Sequence, residues 1–348
     1  MSEQIQRLLQ QGQKSFKRRL AADQVDSGRR LLKVYRGALK DQVDKRLKDL
    51  RVLAQAEGMT GKALANEAAV VRLRDSVQQA LDGVSATIEG EAQAMQHEGI
   101  RAGNAVSTAM LEMTLDDVNR PLVGKVKQAI NIVDSPAFQQ TLAGYSKYHA
   151  EAVSNIIYNG AAEGKHPSTL ARMVTSYLQD YPLADAIRMT RTVLIVSARR
   201  SAHETFRANS DVVTGWIWVS ALTPNTCAGC WAMHGTLHSL DEELNDHHAG
   251  LCTPVPVTKT WADFGFDDGS EVTDGIQSGE DIFAGLPEDQ QRQILGAARW
   301  SAYQDGLFDF SQLSTTYEDP VYGTMRKAAS LDSLIGSQAA ALYKRPAA

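Results

Sequence analysis

The chain has 348 residues, with 36 Lys and Arg against 41 Asp and Glu and 43% hydrophobic residues, a composition ordinary for a water-soluble protein. That length exceeds one typical domain and leaves room for at least two packed units. No stretch approaches the roughly 18 consecutive apolar residues of a membrane span, and the opening MSEQIQRLLQQGQKSFKRRL lacks the apolar core of a secretory signal. Membrane spanning and signal-directed export are therefore disfavoured.

Charge is unevenly placed. Residues 1–51 carry fourteen Lys and Arg against six Asp and Glu, whereas residues 221–290 carry thirteen acidic residues and one basic residue, Lys259. Lys17, Arg18, Arg19, Arg29, Arg30 and Lys33 form the candidate phosphate-binding or partner-binding surface; a solvated face explains the same charges. Proline is absent from residues 1–120. Leu32, Tyr35, Leu39, Val43, Leu47, Leu50 and Leu53 step by three or four and predict a long helix. A second stripe, Val70, Leu73, Val77, Leu81, Val84 and Ile88, follows a break at Gly58 to Gly61 and predicts another. Neither keeps a strict seven-residue repeat, so packed straight helices are expected rather than an extended coiled coil.

Further helices are predicted from Phe138 to Tyr158, then from a cap at Ser168 or Thr169 to about Asp180, and again from Leu183 to Asn209 after Pro182 restarts the chain. Composition changes after Ser210. Four of five tryptophans, all three cysteines and four of eight histidines lie between Trp216 and Trp261. Val212 to Val219 reads as a strand entering this module. Residues 262–283 read as an acidic, glycine-rich surface loop, and Pro287 to Tyr303 as a helix with Glu288 and Asp289 at its positive end. The expectation is a mainly α fold, with long N-terminal helices (1–120), a helical body (121–210), a small α+β Cys/His module with an acidic loop (211–285) and a helical tail (286–348).

The cysteines are Cys227, Cys230 and Cys252, an odd number confined to 26 residues, which is not the distribution of a disulfide scaffold. Cys227-Ala228-Gly229-Cys230 puts two sulfurs on one turn, and His247 with Cys252 completes four ligands of the kind tetrahedral zinc takes. A full protein set closes the metal and makes it structural. A redox dithiol and simply buried thiols are the other readings, and the acidic surroundings disfavour the redox one because negative charge raises a thiol pKa. His234 and His238 are further candidate ligands, read first as hydrogen-bonding or surface histidines.

The order Arg191-Thr192, Ser201, Trp216, Trp218, Thr226-Cys227-Ala228-Gly229-Cys230, Gly235, His247 and Cys252-Thr253 resembles the minor head proteins typified by protein F of phage Mu. Leu286-Pro287 to Gln291, Ile294-Leu295-Gly296, Arg299-Trp300 and Asp305-Gly306 resemble that family's ending, and Gly160 and Gly164 fit upstream. The likeness covers roughly residues 150–315. Val193 stands where the family has glutamate, Thr223 where it has aspartate, and Gly250 where it has a further cysteine. The resemblance implies a structural role in the heads of tailed phages, in procapsid assembly near the portal and in the packaging, retention or delivery of DNA. It implies location in the virion, with host cytoplasm during assembly. The partners implied are the portal, the major capsid or scaffolding protein, and packaged double-stranded DNA bound without sequence preference, with no membrane. Zinc at Cys227, Cys230, His247 and Cys252 fits this role, and no catalytic residue is expected.

The sequence lacks a phosphate-binding P-loop, a G-x-S-x-G elbow, an H-E-x-x-H helix and a dinucleotide glycine fingerprint. The enzymatic alternative is a metal-dependent nuclease or hydrolase built from His234, His238, His247, His248, Asp241, Glu242, Glu243 and Asp246. A third is a redox or host-interaction protein using the C-x-x-C thiols.

Overall fold

A computed structural model describes residues 2–43, 68–114, 130–259 and 277–344. Among the described residues four long helices dominate: α1 (Ser2–Gln42), α2 (Ala68–Thr114), α3 (Pro136–Ala162) and α4 (Pro167–Ala208). The protein is mainly α-helical, with two small antiparallel sheets among the described residues. It divides into two compact units. One comprises Ala22–His97 and Asn131–Leu194, the other Met1–Ala21, Glu98–Ile130 and Ile195–Ala348.

The first unit is helical throughout its described residues. The stripe Val70, Leu73, Val77, Leu81, Val84 and Ile88 is buried along α2, which is what its spacing predicts for an amphipathic helix. On α1, Tyr35 and Val43 are buried while Leu32 and Leu39 are partly so; Leu47, Leu50, Leu53 and the break at Gly58 to Gly61 lie outside the described residues. Gln96 ties α2 to the start of the next segment, accepting from the backbone N–H groups of Ile132 (2.7 Å) and Val133 (3.0 Å). Ser135 then caps α3, its hydroxyl accepting from Phe138 N, with Pro136 at the first helical position.

Two expectations for the next helix need correction. Helix α4 begins at Pro167, and the His166 carbonyl accepts from Thr169 N and Leu170 N, so Ser168 and Thr169 sit in the first turn rather than at the cap. Proline lacks the N–H that a first-turn residue leaves unpaired anyway, which favours Pro167 at the start. Nor does the helix stop at Asp180, because it runs through Pro182 without interruption. An internal proline deprives the carbonyl four residues earlier of its donor. Here that carbonyl belongs to Leu178, and the buried Tyr35 hydroxyl donates to it instead. The carbonyl of Pro182 itself accepts from Tyr145 Oη at 2.8 Å. Packing thus replaces the backbone bond that sequence reasoning counts as lost.

In the second unit the far halves of α2 and α4 pack closely. A Cβ on Gly103 would lie 2.1 Å from the Ala198 carbonyl oxygen, and Ser201 Oγ donates to Ile100 O at 2.9 Å. After α4 comes a three-stranded sheet in the order β2-β1-β3, with β1 (Val213–Val219), β2 (Leu237–His238) and β3 (Thr253–Thr258). Both β3 prolines, Pro254 and Pro256, fall on an edge strand, where an absent N–H costs no ladder bond. Between β1 and β2 lies the short helix α5 (Ala228–Met233).

The remaining chain is not all helix. Ser278 caps α6 (Gly279–Ala284) in a capping box with Asp281, so the expected loop ends by residue 278; residues 260–276 lie outside the described part. The helix expected from Pro287 to Tyr303 is two, α7 (Glu288–Leu295) and α8 (Ala297–Gln304), because Gly296 adopts φ 76° and breaks the ladder. Beyond them, β4 (Ser314–Asp319) and β5 (Gly323–Ala328) form a hairpin, followed by α9 (Leu331–Ile335) and α10 (Ser337–Tyr343). Trp231, Phe283, Phe310 and Leu313 anchor the core beneath this region.

Candidate metal centre

The cysteine module is built on tryptophans. Trp216 and Trp218 on β1 are buried with Phe206, Met233, Leu244, Cys230 and Cys252 in one apolar cluster. Trp216 Nε1 donates to the carbonyls of Ser239 (3.0 Å) and Glu242 (2.9 Å), so the loop after β2 is pinned by the indole that its own strand partner stacks upon. That partner is His238, at 4.3 Å between ring centroids.

Cys227 is the N-cap of α5, its sulfur accepting from Cys230 N at 3.3 Å. The two sulfurs lie 3.1 Å apart. Gly229 between them lies close to β5: a Cβ there would come to 3.0 Å from the Lys327 carbonyl oxygen and 3.1 Å from Ala328, so a side chain would need β5 to give by a few tenths of an ångström. Cys252 arrives from the other side, at the entrance to β3. The register Val219↔Thr253 sets Ser220 beside it, with Ser220 Oγ 3.3 Å from Cys252 Sγ and donating to Cys230 O at 2.6 Å. His247 directs Nδ1 at the His248 carbonyl, 3.0 Å away, which fixes the tautomer and leaves Nε2 as the ligand atom.

Two overlapping groups result, Cys227–Cys230–His247 and Cys230–Asp246–Cys252, and in each the ligand atoms all lie within 4.8 Å of one another. These five side chains are close enough to hold a metal ion. Three sulfurs and an imidazole are the soft and borderline donors that zinc and similar transition metals take.

Asp246 was not among the four ligands predicted from sequence. It is buried to 1% exposure, and every neighbour it meets is a donor: Arg199 Nη2 at 2.9 Å and Cys252 N at 3.3 Å on Oδ2, His247 N at 2.8 Å and Cys230 Sγ at 3.2 Å on Oδ1. Arg199 in turn donates to the carbonyls of Cys252 (3.0 Å) and Gly250 (3.0 Å). The carboxylate therefore ties α4 to the backbone at both His247 and Cys252. Between them Ala249 turns the chain at φ 54°, and Gly250 is required because a Cβ there would lie 2.1 Å from Asp246 Oδ2. The space toward which a side chain at 250 would point is filled by Asp246. The acidic run around residue 241 hid this residue, since nothing in its spacing separates Asp246 from Asp241, Glu242 or Glu243.

Protonation follows the same contacts. Its sulfur–sulfur contact with Cys230, against the cost of burial and with help from His247, holds the Cys227 thiol down at about 5. His247, hydrogen-bonded to Cys227 and next to Asp246, is pushed up to about 9 despite burial. The two directions favour a thiolate–imidazolium pair, and a metal ion bound here would take the proton's place. Cys230 is raised, first by its bond to Cys227, then by Cys252 and burial. Burial pushes Asp246 upward, but Arg199, His247 and the thiol hydrogen bonds outweigh it and hold the carboxyl below its usual range.

The other sequence candidates are dispersed. His234 accepts from Ser220 N through Nδ1 (3.0 Å), His238 bonds Thr236 Oγ1 (2.8 Å), and His248 Nε2 meets Asp319 Oδ2 (2.8 Å). With Asp241, Glu242 and Glu243 they form no metal-binding group among the described residues. Of the six basic candidates, Arg18, Arg29, Arg30 and Lys33 are exposed, with Arg29 paired to Asp26 at 3.1 Å. Arg30 donates to both carboxylate oxygens of Glu91, from Nε and Nη2, the longer bond 2.7 Å. Lys17 is partly buried, and burial pushes its ammonium down while Cys252 pulls it up. The Arg19 side chain lies outside what the structure describes. No helix among the described residues is long and apolar enough to cross a membrane.

Comparison with protein-family models, with curated proteins and with solved structures finds no match.

Proposed function

We propose that this protein is a structural minor head protein of a tailed bacteriophage, acting in procapsid assembly near the portal and in packaging, retention or delivery of DNA, and that its Cys/His centre holds a structural zinc ion. The observation that carries the reading is convergence: the four positions aligned by the resemblance, Cys227, Cys230, His247 and Cys252, are spread over 26 residues and meet in two overlapping ligand groups. Four protein ligands leave zinc no open position for water, which suits a scaffold. Asp246, held by Arg199, supports these ligands from behind. Exposed Arg18, Arg29 and Lys33 are available to DNA phosphates or to an acidic face of the portal, scaffold or capsid, and contacts of the first kind weaken steeply with salt.

The test is quantitative mass spectrometry of procapsids, mature virions and DNA-ejected shells of the phage that encodes the chain. A few copies per particle is the expected result, and loss on ejection assigns delivery with DNA. Absence from all three particles overturns the virion role. Metal analysis of the purified chain tests the zinc reading separately: about one zinc per chain is expected, and Cys227→Ser should release it and open residues 216–259 to proteolysis.

A further inference from the structure

The three sulfurs of the centre are not equivalent. Cys227 is half-buried, whereas Cys230 is 5% and Cys252 3% exposed, so a small reagent arriving from solvent meets the Cys227 sulfur first. Cys227 caps α5 and Cys230 lies in its first turn, which brings their sulfurs to 3.1 Å. A disulfide needs about 2.0 Å, and the remaining approach of about 1 Å is within reach of side-chain rotation on one turn. Cys252 is fixed from the other side. Its backbone N–H donates to Asp246, its carbonyl accepts from Arg199, and its sulfur sits 3.3 Å from Ser220 Oγ.

Joining Cys227 to Cys230 removes two of the four zinc ligands proposed above. His247 and Cys252 remain, too few for a closed tetrahedral site. The frame behind those two residues survives the change. Asp246 loses one donor, Cys230 Sγ, and keeps Arg199 Nη2, His247 N and Cys252 N. The carboxylate therefore still ties His247 and Cys252 to α4 through their backbone, and reduction of the disulfide restores the two sulfurs to a site whose other half has been kept in place.

We propose that Cys227 and Cys230 form a reversible redox switch on the centre, which a peroxide converts to a disulfide with release of the metal. The inference rests on the zinc reading of the centre and not on the virion role. The Cys227 sulfur, as thiolate, attacks one oxygen of hydrogen peroxide; the O–O bond breaks, hydroxide leaves and Cys227 becomes a sulfenic acid. The Cys230 sulfur, also as thiolate, attacks Cys227 Sγ; the S–S bond forms, the S–O bond breaks and a second hydroxide leaves. Two electrons pass from the sulfurs to the peroxide, and zinc departs with its charge unchanged.

The test treats the reduced, zinc-loaded full chain with hydrogen peroxide while a chromogenic chelator reads released zinc and alkylation with peptide mapping reads each cysteine. About one zinc released per disulfide is expected, with Cys227 joined to Cys230, Cys252 still alkylated as a thiol, and zinc bound again after dithiothreitol. In Cys230→Ser the second step has no sulfur, so Cys227 should stop at the sulfenic acid and be trapped by dimedone. Cys252→Ser keeps the pair and carries the disulfide readout if Cys230→Ser does not fold. A reduced chain that takes up no zinc overturns the zinc reading, and the release of metal with it. Zinc retained after the thiols are oxidised, a disulfide to Cys252, or oxidation to sulfinic acid without a disulfide overturns the inference and leaves the zinc reading standing.

Discussion

Replacing Asp246 by asparagine keeps the shape of the side chain and removes its charge. The carboxylate meets four donors, two on each oxygen, and no acceptor. Asparagine offers one oxygen, so one pair of donors is left facing an NH₂ group, and Arg199, 3% exposed, becomes an unpaired buried cation. Breaking a buried pair on one side costs about 3–5 kcal/mol, well above the roughly 0–1 kcal/mol of a surface pair. The damage should be local, because His247 N and Cys252 N lose their anchor together. Trp216, Trp218, Trp231 and Trp300 all fall in the unit that holds the centre, so urea unfolding followed by tryptophan fluorescence reads the relevant transition. The double variant with Arg199→Met should lose less than the sum of the singles by about 1–3 kcal/mol, since the buried charge and its partner leave together. Metal affinity should fall about ten- to a hundredfold in Asp246→Asn, as for other residues that orient ligands. A stability change under about 1 kcal/mol, with additive singles, would refute the assignment of Asp246 as the link between α4 and the ligand loops.

Other outcomes follow from single contacts. Gly103→Ala gains up to about 1 kcal/mol of helix propensity but sets a Cβ 2.1 Å from the Ala198 carbonyl, an overpacking cost of about 1–3 kcal/mol, so thermal unfolding should show net destabilisation; a stabilised variant would refute the close approach. Tyr35→Phe should cost about 1 kcal/mol in the natural chain and much less alongside Pro182→Ala, which restores an N–H for Leu178 O; equal costs in both backgrounds would show that the tyrosine does not stand in for the missing bond. Burial holds His234 down at about 4, from 6.5. Between those values the unfolded chain binds a proton that the folded chain does not. Stability should therefore fall as pH drops from 6.5 toward 4, by up to about 3 kcal/mol, and be fully present above 6.5. In His234→Gln that part of the pH dependence should disappear from the denaturation midpoints, and an unchanged profile would assign it to other groups.

Sequence alone determined much about this protein, because some of its information is local. Apolar spacing marked the buried stripe of α2 from Val70 to Ile88, since a helix repeats every 3.6 residues whatever it packs against. β-branched and aromatic residues marked β1, and the C-x-x-C pair with a distant histidine and cysteine marked the centre. What the tertiary structure decided depends on groups far apart in the chain. Pro182 reads as a stop until Tyr35, 143 residues from Leu178, supplies the missing donor. Asp246 reads as one acid in an acidic run until Arg199, 47 residues away, meets it in the interior and turns it toward His247 and Cys252. Local periodicity is written in neighbouring residues, whereas the partner of a buried polar group is chosen by the fold.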